Sequence, residues 1–384
     1  MSPRCRLPLL AIATVLALTP AAEAKKPPLS FYKVPAAKLK GPHGSVIKQQ
    51  RIATKGLPLS RVGKTYLVMY RSTLPNGKPT AVSGTVTIPK GKAPKGGFPV
   101  VAWAHGTTGI ADVCAPTRLM YAGKADGYTS SQGAQQTDWV KQGWAVTNTD
   151  YQGLGTAGMH PYLIGVSEGR SVIDSVLAAR AVNKDVGKAW ATVGHSQGGH
   201  ASLWAASLGE SWAPALDLKG VAPIAPANHI GEQGELIANI DSNPFGSLPA
   251  LIVSAAAAEL KLEPAAVFSE KVMALYPLIE QKCDLREFND IPLNEHWNPE
   301  FDTKVVTDFL HENDPEDLAQ SVPVLITQGT ADNTVLPAFT DQLVADYEAR
   351  GIDVTYTKLE GVNHVDAAKE SRKVDLAFLK DVLG

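Results

Sequence analysis

The residues best suited to chemistry in this 384-residue chain are Gly194-His195-Ser196-Gln197-Gly198, which fit the pattern G-x-S-x-G and are followed by a further glycine, Gly199. The pattern acquires a mechanical meaning where a strand runs into a helix. The serine then stands on a tight turn with its hydroxyl exposed, and the flanking glycines let the turn close without a Cβ clash. The helix that follows points its positive N-terminus at the same place. Residues 190–195 are a short apolar run that reads as the strand, and residues 197–208 show apolar positions at helical spacing. This context predicts that Ser196 is a nucleophile and not an ordinary turn serine.

A serine hydroxyl needs a base to take its proton, and the base needs a carboxylate to orient it. Two later segments supply them. The apolar run at residues 322–328 leads into Gly329-Thr330-Ala331-Asp332-Asn333, and the run at 353–359 leads into Gly361-Val362-Asn363-His364. Asp332 and His364 therefore fall just beyond the carboxyl ends of strands, where open α/β sheets build their sites. The order Ser, Asp, His is that of α/β-hydrolases. An oxyanion formed by attack on a carbonyl needs fixed N–H donors. Gln197, next after the nucleophile, supplies one from its backbone. The second is assigned to the Thr107 backbone N–H in the loop Gly106-Thr107-Thr108-Gly109, with Gly106 and Thr108 as adjacent alternatives.

Other titratable residues are assigned structural roles. On a tight turn His195 points away from the nucleophile and packs; His200, four residues into the helix, is a core or surface residue. His105 is expected to hydrogen-bond its own loop, Asp150 to cap a loop and Tyr151 to pack. His311, with Asp308, Asp314 and Asp317, is expected at a solvated polar end.

These residues require a sheet to carry them. Residues 66–71 and 81–88 read as an antiparallel pair around a Leu-Pro-Asn-Gly-Lys-Pro turn. Residues 98–105, 144–150, 190–195, 220–225 and 322–328 are short continuous apolar runs, the signature of strands covered on both faces. Helical spacing recurs at 170–182, 197–208, 338–350 and 366–383. The result is an α/β architecture with a mostly parallel sheet flanked by helices. From 226 to 319 the alternation stops. Helical stretches at 246–260 and 263–279 and a Pro- and Asn-rich stretch at 291–299 read as a helical cap inserted between a first core part, 25–225, and a second, 320–384. The segment at 25–44 is expected as a loosely held surface arm.

With 44% hydrophobic residues and a net charge of -2, the chain is globular, and it lacks the basic field that a nucleic-acid partner requires. Residues 1–24 read as a signal peptide: Arg4 and Arg6 precede an apolar run too short to span a bilayer, and Ala22-Glu23-Ala24 offers a cleavage site. Cleavage near Ala24 removes two positive charges and one negative, taking the net charge from -2 to -3, and leaves Cys114 and Cys283. In a secreted or periplasmic setting that pair is expected to form a structural disulfide. No Cys or His cluster has metal-ligand spacing, so no metal site is expected.

The pieces Trp103-Ala104-His105-Gly106-Thr107-Thr108-Gly109, Asp150-Tyr151-Gln152-Gly153-Leu154-Gly155, His160-Pro161-Tyr162 and Ser167-Glu168-Gly169-Arg170, together with Ser196, Asp332 and His364, resemble the secretory lipase family of α/β-hydrolases. The resemblance covers most of the mature chain. It implies a secreted, cofactor-free serine ester hydrolase, lipase or carboxylesterase, with a helical cap above the site and an ester or lipid substrate. The apolar run at 248–260 is the candidate for transient contact with a lipid interface. An acyltransferase, a peptidase on the same fold and a non-catalytic binding protein are the rival readings.

Overall fold

A computed structural model describes residues 29–52, 59–122 and 127–384. Among these, nine strands form one sheet: β1 Val46–Ile52, β2 Gly63–Thr73, β3 Pro79–Pro89, β4 Phe98–Ala104, β5 Ala145–Thr149, β6 Val186–His195, β7 Asp217–Ile224, β8 Val324–Gly329 and β9 Val354–Leu359. Their order is β1-β2-β3-β5-β4-β6-β7-β8-β9. The first four in that order pair antiparallel, and from β5 to β9 every pair is parallel. The expected hairpin is β2 and β3, with Tyr66 opposite Val86 and Arg71 opposite Ala81. Its turn closes through Gly77, whose φ of 81° is the left-handed state glycine adopts freely.

The apolar runs lack alternation because helices cover both faces of the sheet. Successive residues of β4 alternate sides. Val100, Ala102 and Ala104 pack with Val172, Ile173 and Val176 of the helix Gly165–Val182 and Ala201 and Ala205 of the helix Gln197–Trp212. Val101 and Trp103 pack on the other side with Trp139 of the helix Gly127–Lys141, Ala367 of His364–Glu370 and Leu379 of Arg372–Leu383. The stretch at 366–383, expected as one helix, is two. Asn363 caps the first through a bond from Asp366 N–H, and the chain resets at Ser371. β1 and the helix Gly127–Lys141 were not foreseen. The first is a half-exposed edge with no clean period, and the second is written largely in polar residues such as Thr129, Ser130, Gln132 and Gln135.

Between β7 and β8 the described chain contributes no strand to the sheet. It forms the helices Ile230–Ile237, Leu248–Leu260, Pro264–Val267, Glu270–Leu275 and Lys304–His311. Their apolar side chains, among them Leu251, Val267, Phe268, Phe288 and Leu310, form a cluster that includes Ile110, Tyr162 and Leu163 from loops that follow β4 and β5. This segment therefore packs on the edge of the sheet where the parallel strands end. The disulfide joins Cys114 to Cys283, residues separated by 169 positions, and so ties the segment to the loop after β4.

The N-terminal stretch departs from the expected loose arm. Phe31 and Tyr32 are buried, the Tyr32 hydroxyl lies 2.9 Å from Thr117 Oγ1, and Lys48 Nζ donates to the carbonyls of Ser30 and Lys33. Those two aromatics outweigh the neighbouring prolines and lysines. The expected signal peptide, residues 1–24, lies outside the described residues. No described helix is long and apolar enough to cross a membrane.

Candidate active site

β6 ends at His195 and the next helix begins at Gln197, leaving Ser196 on the turn with φ 60° and ψ -120°. A non-glycine residue in such a sparsely populated state carries a cost of about 1–3 kcal/mol, and its surroundings must hold it there. The Ser196 N–H donates to Ile224 O at 2.9 Å, and its carbonyl accepts from Gly199 N at 2.9 Å and Ala227 N at 3.1 Å. The glycines are sites of close backbone approach. A Cβ on Gly194 would lie 2.0 Å from Gly198 O, one on Gly198 1.9 Å from Ala104 O, and one on Gly199 2.6 Å from Pro226 Cα.

His364 opens the short helix after β9, and its Nε2 lies 2.8 Å from Ser196 Oγ. Its Nδ1 lies 2.7 Å from Asp332 Oδ2. A carboxylate only accepts, so Nδ1 carries the hydrogen and Nε2 is left to accept from the serine hydroxyl. Asp332 is buried and accepts from Thr334 N and Val335 N at 2.8 and 2.9 Å and from Gln328 Nε2 at 3.0 Å. Burial by itself would raise its pKa, but the hydrogen bond and charge of His364 and the backbone N–H groups of Thr334 and Val335 hold the carboxyl below its ordinary value. Three residues from three loops thus form one hydrogen-bonded chain.

The contact of Gly198 with the carbonyls of Ala104 and His105 seats the start of the helix against the end of β4. Gln197 and the loop at 106–109 are thereby brought to one junction. Ser196 lies in a cleft with a cavity of about 120 Å³ whose other walls are largely apolar, including Leu163, Ile230, Phe245, Ile252, Trp297 and Val335. Several of these come from the helical segment between β7 and β8.

Residues 134–383 match the secretory lipase family. The chain belongs to that family. A Mycobacterium tuberculosis protein described as a probable inactive lipase is 28% identical over 375 residues, 91% of this chain and 81% of that protein. A secreted triacylglycerol lipase of Malassezia globosa is 29% identical over 208 residues, 53% of this chain and 43% of that lipase. Among solved structures, Candida antarctica lipase A superposes with a TM-score of 0.77 at 19% identity, covering 92% of this chain and 85% of that one. A rice cell wall degrading esterase of Xanthomonas oryzae gives 0.70 at 21%, covering 89% and 98%. These likenesses show the α/β-hydrolase fold.

In this secretory lipase family member His105 and Asp150 take the places expected of them. His105 Nδ1 lies 2.7 Å from Gly106 O, and Asp150 accepts from Thr117 N at 3.0 Å and Ser83 Oγ at 2.6 Å. Burial pushes the Asp150 carboxyl up to about 6. Tyr151 is buried and donates to His105 O at 3.0 Å. His195 packs as expected but also reaches the site, donating from Nε2 to the His364 carbonyl at 2.8 Å. His200 is a core residue, with Nδ1 2.8 Å from Glu168 Oε2 and Nε2–H donating to Asn313 O at 2.8 Å. Burial opposes its charge, yet the Glu168 carboxylate leaves its pKa raised. Asp314 is not solvated: it is buried and accepts from the first N–H groups of the helix Ile230–Ile237. His311, Asp308 and Asp317 are exposed, as expected. Sequence reasoning assigned no role to His160, Tyr162 or Glu168. Their only signal was membership of short pieces shared with the family.

Among the described residues no group of three or more His, Cys, Asp or Glu side chains is placed to hold a metal ion.

Proposed function

We propose that the protein is an exported serine carboxylic ester hydrolase working through Ser196, His364 and Asp332. The observation that carries this reading is the hydrogen-bonded chain from Asp332 Oδ2 through His364 to Ser196 Oγ, opening into an apolar cleft. His364 Nε2 takes the hydroxyl proton as Oγ attacks the ester carbonyl, and Asp332 stabilises the imidazolium. The Gln197 and Thr107 backbone N–H groups bind the oxyanion, each worth about a hundred- to a thousandfold in rate. The imidazolium then returns its proton to the departing alkoxide, leaving Ser196 acylated. Water, deprotonated by His364, attacks the acyl carbonyl, and the imidazolium returns that proton to Ser196 Oγ as the acyl–Oγ bond breaks and the acid leaves. The scheme uses only side chains, backbone N–H groups and water.

The cleft walls suit an apolar acyl chain, and burying each methylene contributes about 0.8 kcal/mol. In this reading the helical segment at 226–319 is a cap that supplies those walls. The run at 248–260, expected to meet a lipid interface, is mostly buried in the core of this segment, so the reading puts that contact at the rim, where Leu236 and Val305 are exposed beside the cleft-lining Ile237 and Val306.

The test is labelling by a fluorophosphonate and initial rates on p-nitrophenyl esters from acetate to palmitate, for wild type and Ser196→Ala. The wild type is labelled and turns over, and Ser196→Ala loses about a millionfold in rate while folding normally. Comparable hydrolysis by the variant overturns the assignment. Added alcohol that diverts most of the acyl group into a new ester would instead identify an acyltransferase.

A further inference from the structure

Beyond the three reacting side chains, a second set of buried polar residues converges on the two residues assigned to the oxyanion. It comes from the turn and helix start at residues 160–168. The Tyr162 hydroxyl lies 2.6 Å from Thr107 Oγ1. Gln197 Nε2 donates to Glu168 Oε1 at 2.7 Å and to His160 Nε2 at 2.8 Å. His160 can accept because its Nδ1–H donates to the carbonyl of Gln152 at 2.8 Å, which fixes the tautomer. Each of these three residues therefore holds a neighbour of the nucleophile and not the nucleophile itself.

The segment is in turn immobilised. Glu168 is buried, and Oε1 also accepts from Leu163 N at 3.0 Å, bending the turn back onto its own helix. Oε2 faces His200, whose other nitrogen donates to the Asn313 carbonyl. Asn313 Oδ1 accepts from Gly165 N at 3.0 Å. Gly165 and Gly169 let the helices Gly165–Val182 and Gln197–Trp212 approach closely: a Cβ on the first would lie 1.9 Å from the Trp204 ring, and one on the second 3.0 Å from Ala205 N. A buried, mutually bonded network of this kind has one low-energy arrangement, because any shift leaves a charge or amide unpaired. Such rigidity is what an oxyanion site needs, since its donors act by being aimed before charge develops.

We propose that His160, Tyr162 and Glu168 are positioning residues that clamp the two oxyanion donors, Tyr162 acting through Thr107 and the other two through Gln197. The proposal rests on the serine hydrolase reading given above.

The test uses Glu168→Gln and Tyr162→Phe in the full chain, with kcat and KM on a short soluble ester and the inhibition constant of a trifluoromethyl ketone that forms a hemiketal oxyanion. Both variants are expected to lose tenfold or more in kcat and, in parallel, in ketone affinity, with KM moving by less than about threefold, because only the transition state develops the charge. Should Glu168→Gln fail to fold, Tyr162→Phe, which removes one hydroxyl, decides the Thr107 half, and His160→Asn, which removes one acceptor of Gln197 Nε2, decides the Gln197 half by the same two readouts. Wild-type kcat and ketone affinity in a folded variant overturn the clamp. So does a rise in KM without loss of kcat, which would make Tyr162 a wall of the cleft only. Equal turnover by wild type and Ser196→Ala would instead overturn the underlying reading.

Discussion

His195 donates from Nε2 to the carbonyl oxygen of His364 at 2.8 Å, and the two rings lie 4.7 Å apart. Burial pulls the His195 pKa down to about 3, so the ring is neutral at working pH and adds no charge beside the base. The residue before Ser196 thus holds the backbone of His364, the base in the proposed mechanism. His195→Ala removes the donor and a packed ring together. A lost buried hydrogen bond costs about 1–3 kcal/mol. We expect a Tm several degrees lower and kcat down by about tenfold with KM little changed, read by thermal unfolding and ester kinetics. Unchanged kcat in the variant would mean that His364 is held well enough without it.

The Cys114–Cys283 bond joins the helical segment to the loop after β4, and a Cβ on Gly109 would lie 2.9 Å from Cys114 Sγ. The loop carrying Thr107 is therefore packed against the disulfide. Closing a loop of 169 residues restrains the unfolded chain by about 5 kcal/mol at most in the chain-entropy model. The double variant Cys114→Ala, Cys283→Ala should unfold at a markedly lower temperature, insensitive to reductant, and should turn over esters more slowly. An unchanged melting curve would refute a stabilising role.

Asp375 is buried and accepts from Gln135 Nε2 at 2.7 Å and Ser371 Oγ at 2.8 Å. Burial raises its carboxyl from 3.8 to about 7. The folded state therefore holds this proton more tightly than the unfolded state. Its stabilisation is complete below the unfolded pKa and is lost as pH rises through about 7. At about 1.4 kcal/mol per pKa unit, the loss reaches at most about 4 kcal/mol. Asp375→Asn should match wild type near the acid end of this window and exceed it in Tm above it. Melting curves across the window check this, and a gap independent of pH would count against it.

Ile252 lines the cleft from the helix Leu248–Leu260. Ile252→Trp adds bulk where an acyl chain would lie. Rates on long-chain p-nitrophenyl esters should fall tenfold or more while acetate and butyrate keep most of theirs. A uniform loss across the series would place the acyl chain elsewhere.

Ser196, Asp332 and His364 were legible because each follows a strand-like run, apolar at 190–195 and 322–328 and rich in Val, Thr and Tyr at 353–359, so local pattern alone puts all three at one edge of a parallel sheet. The strands β4 to β8 were legible for a related reason: two covered faces leave a largely uninterrupted apolar run. The edge strand β1 and the polar helix Gly127–Lys141 carry no such period and stayed hidden. Asp314 reads as a surface charge among other charges, and only its burial against the start of the helix Ile230–Ile237 makes it a cap.

The amino-acid sequence by itself therefore determined the sheet, the turn that carries Ser196, the strand ends that carry Asp332 and His364, to which the proposed mechanism gives the roles of carboxylate and base, and the pair of cysteines, since each rests on short-range pattern or on simple pairing. Tertiary structure decided what surrounds them. Whether Glu168 meets His200 and Gln197, whether Tyr162 reaches Thr107 and whether His195 reaches the carbonyl of His364 depend on how two helices and three loops pack at long range. Side-chain hydrogen bonds act over about 3 Å, and no local periodicity reports which distant groups packing will bring that close.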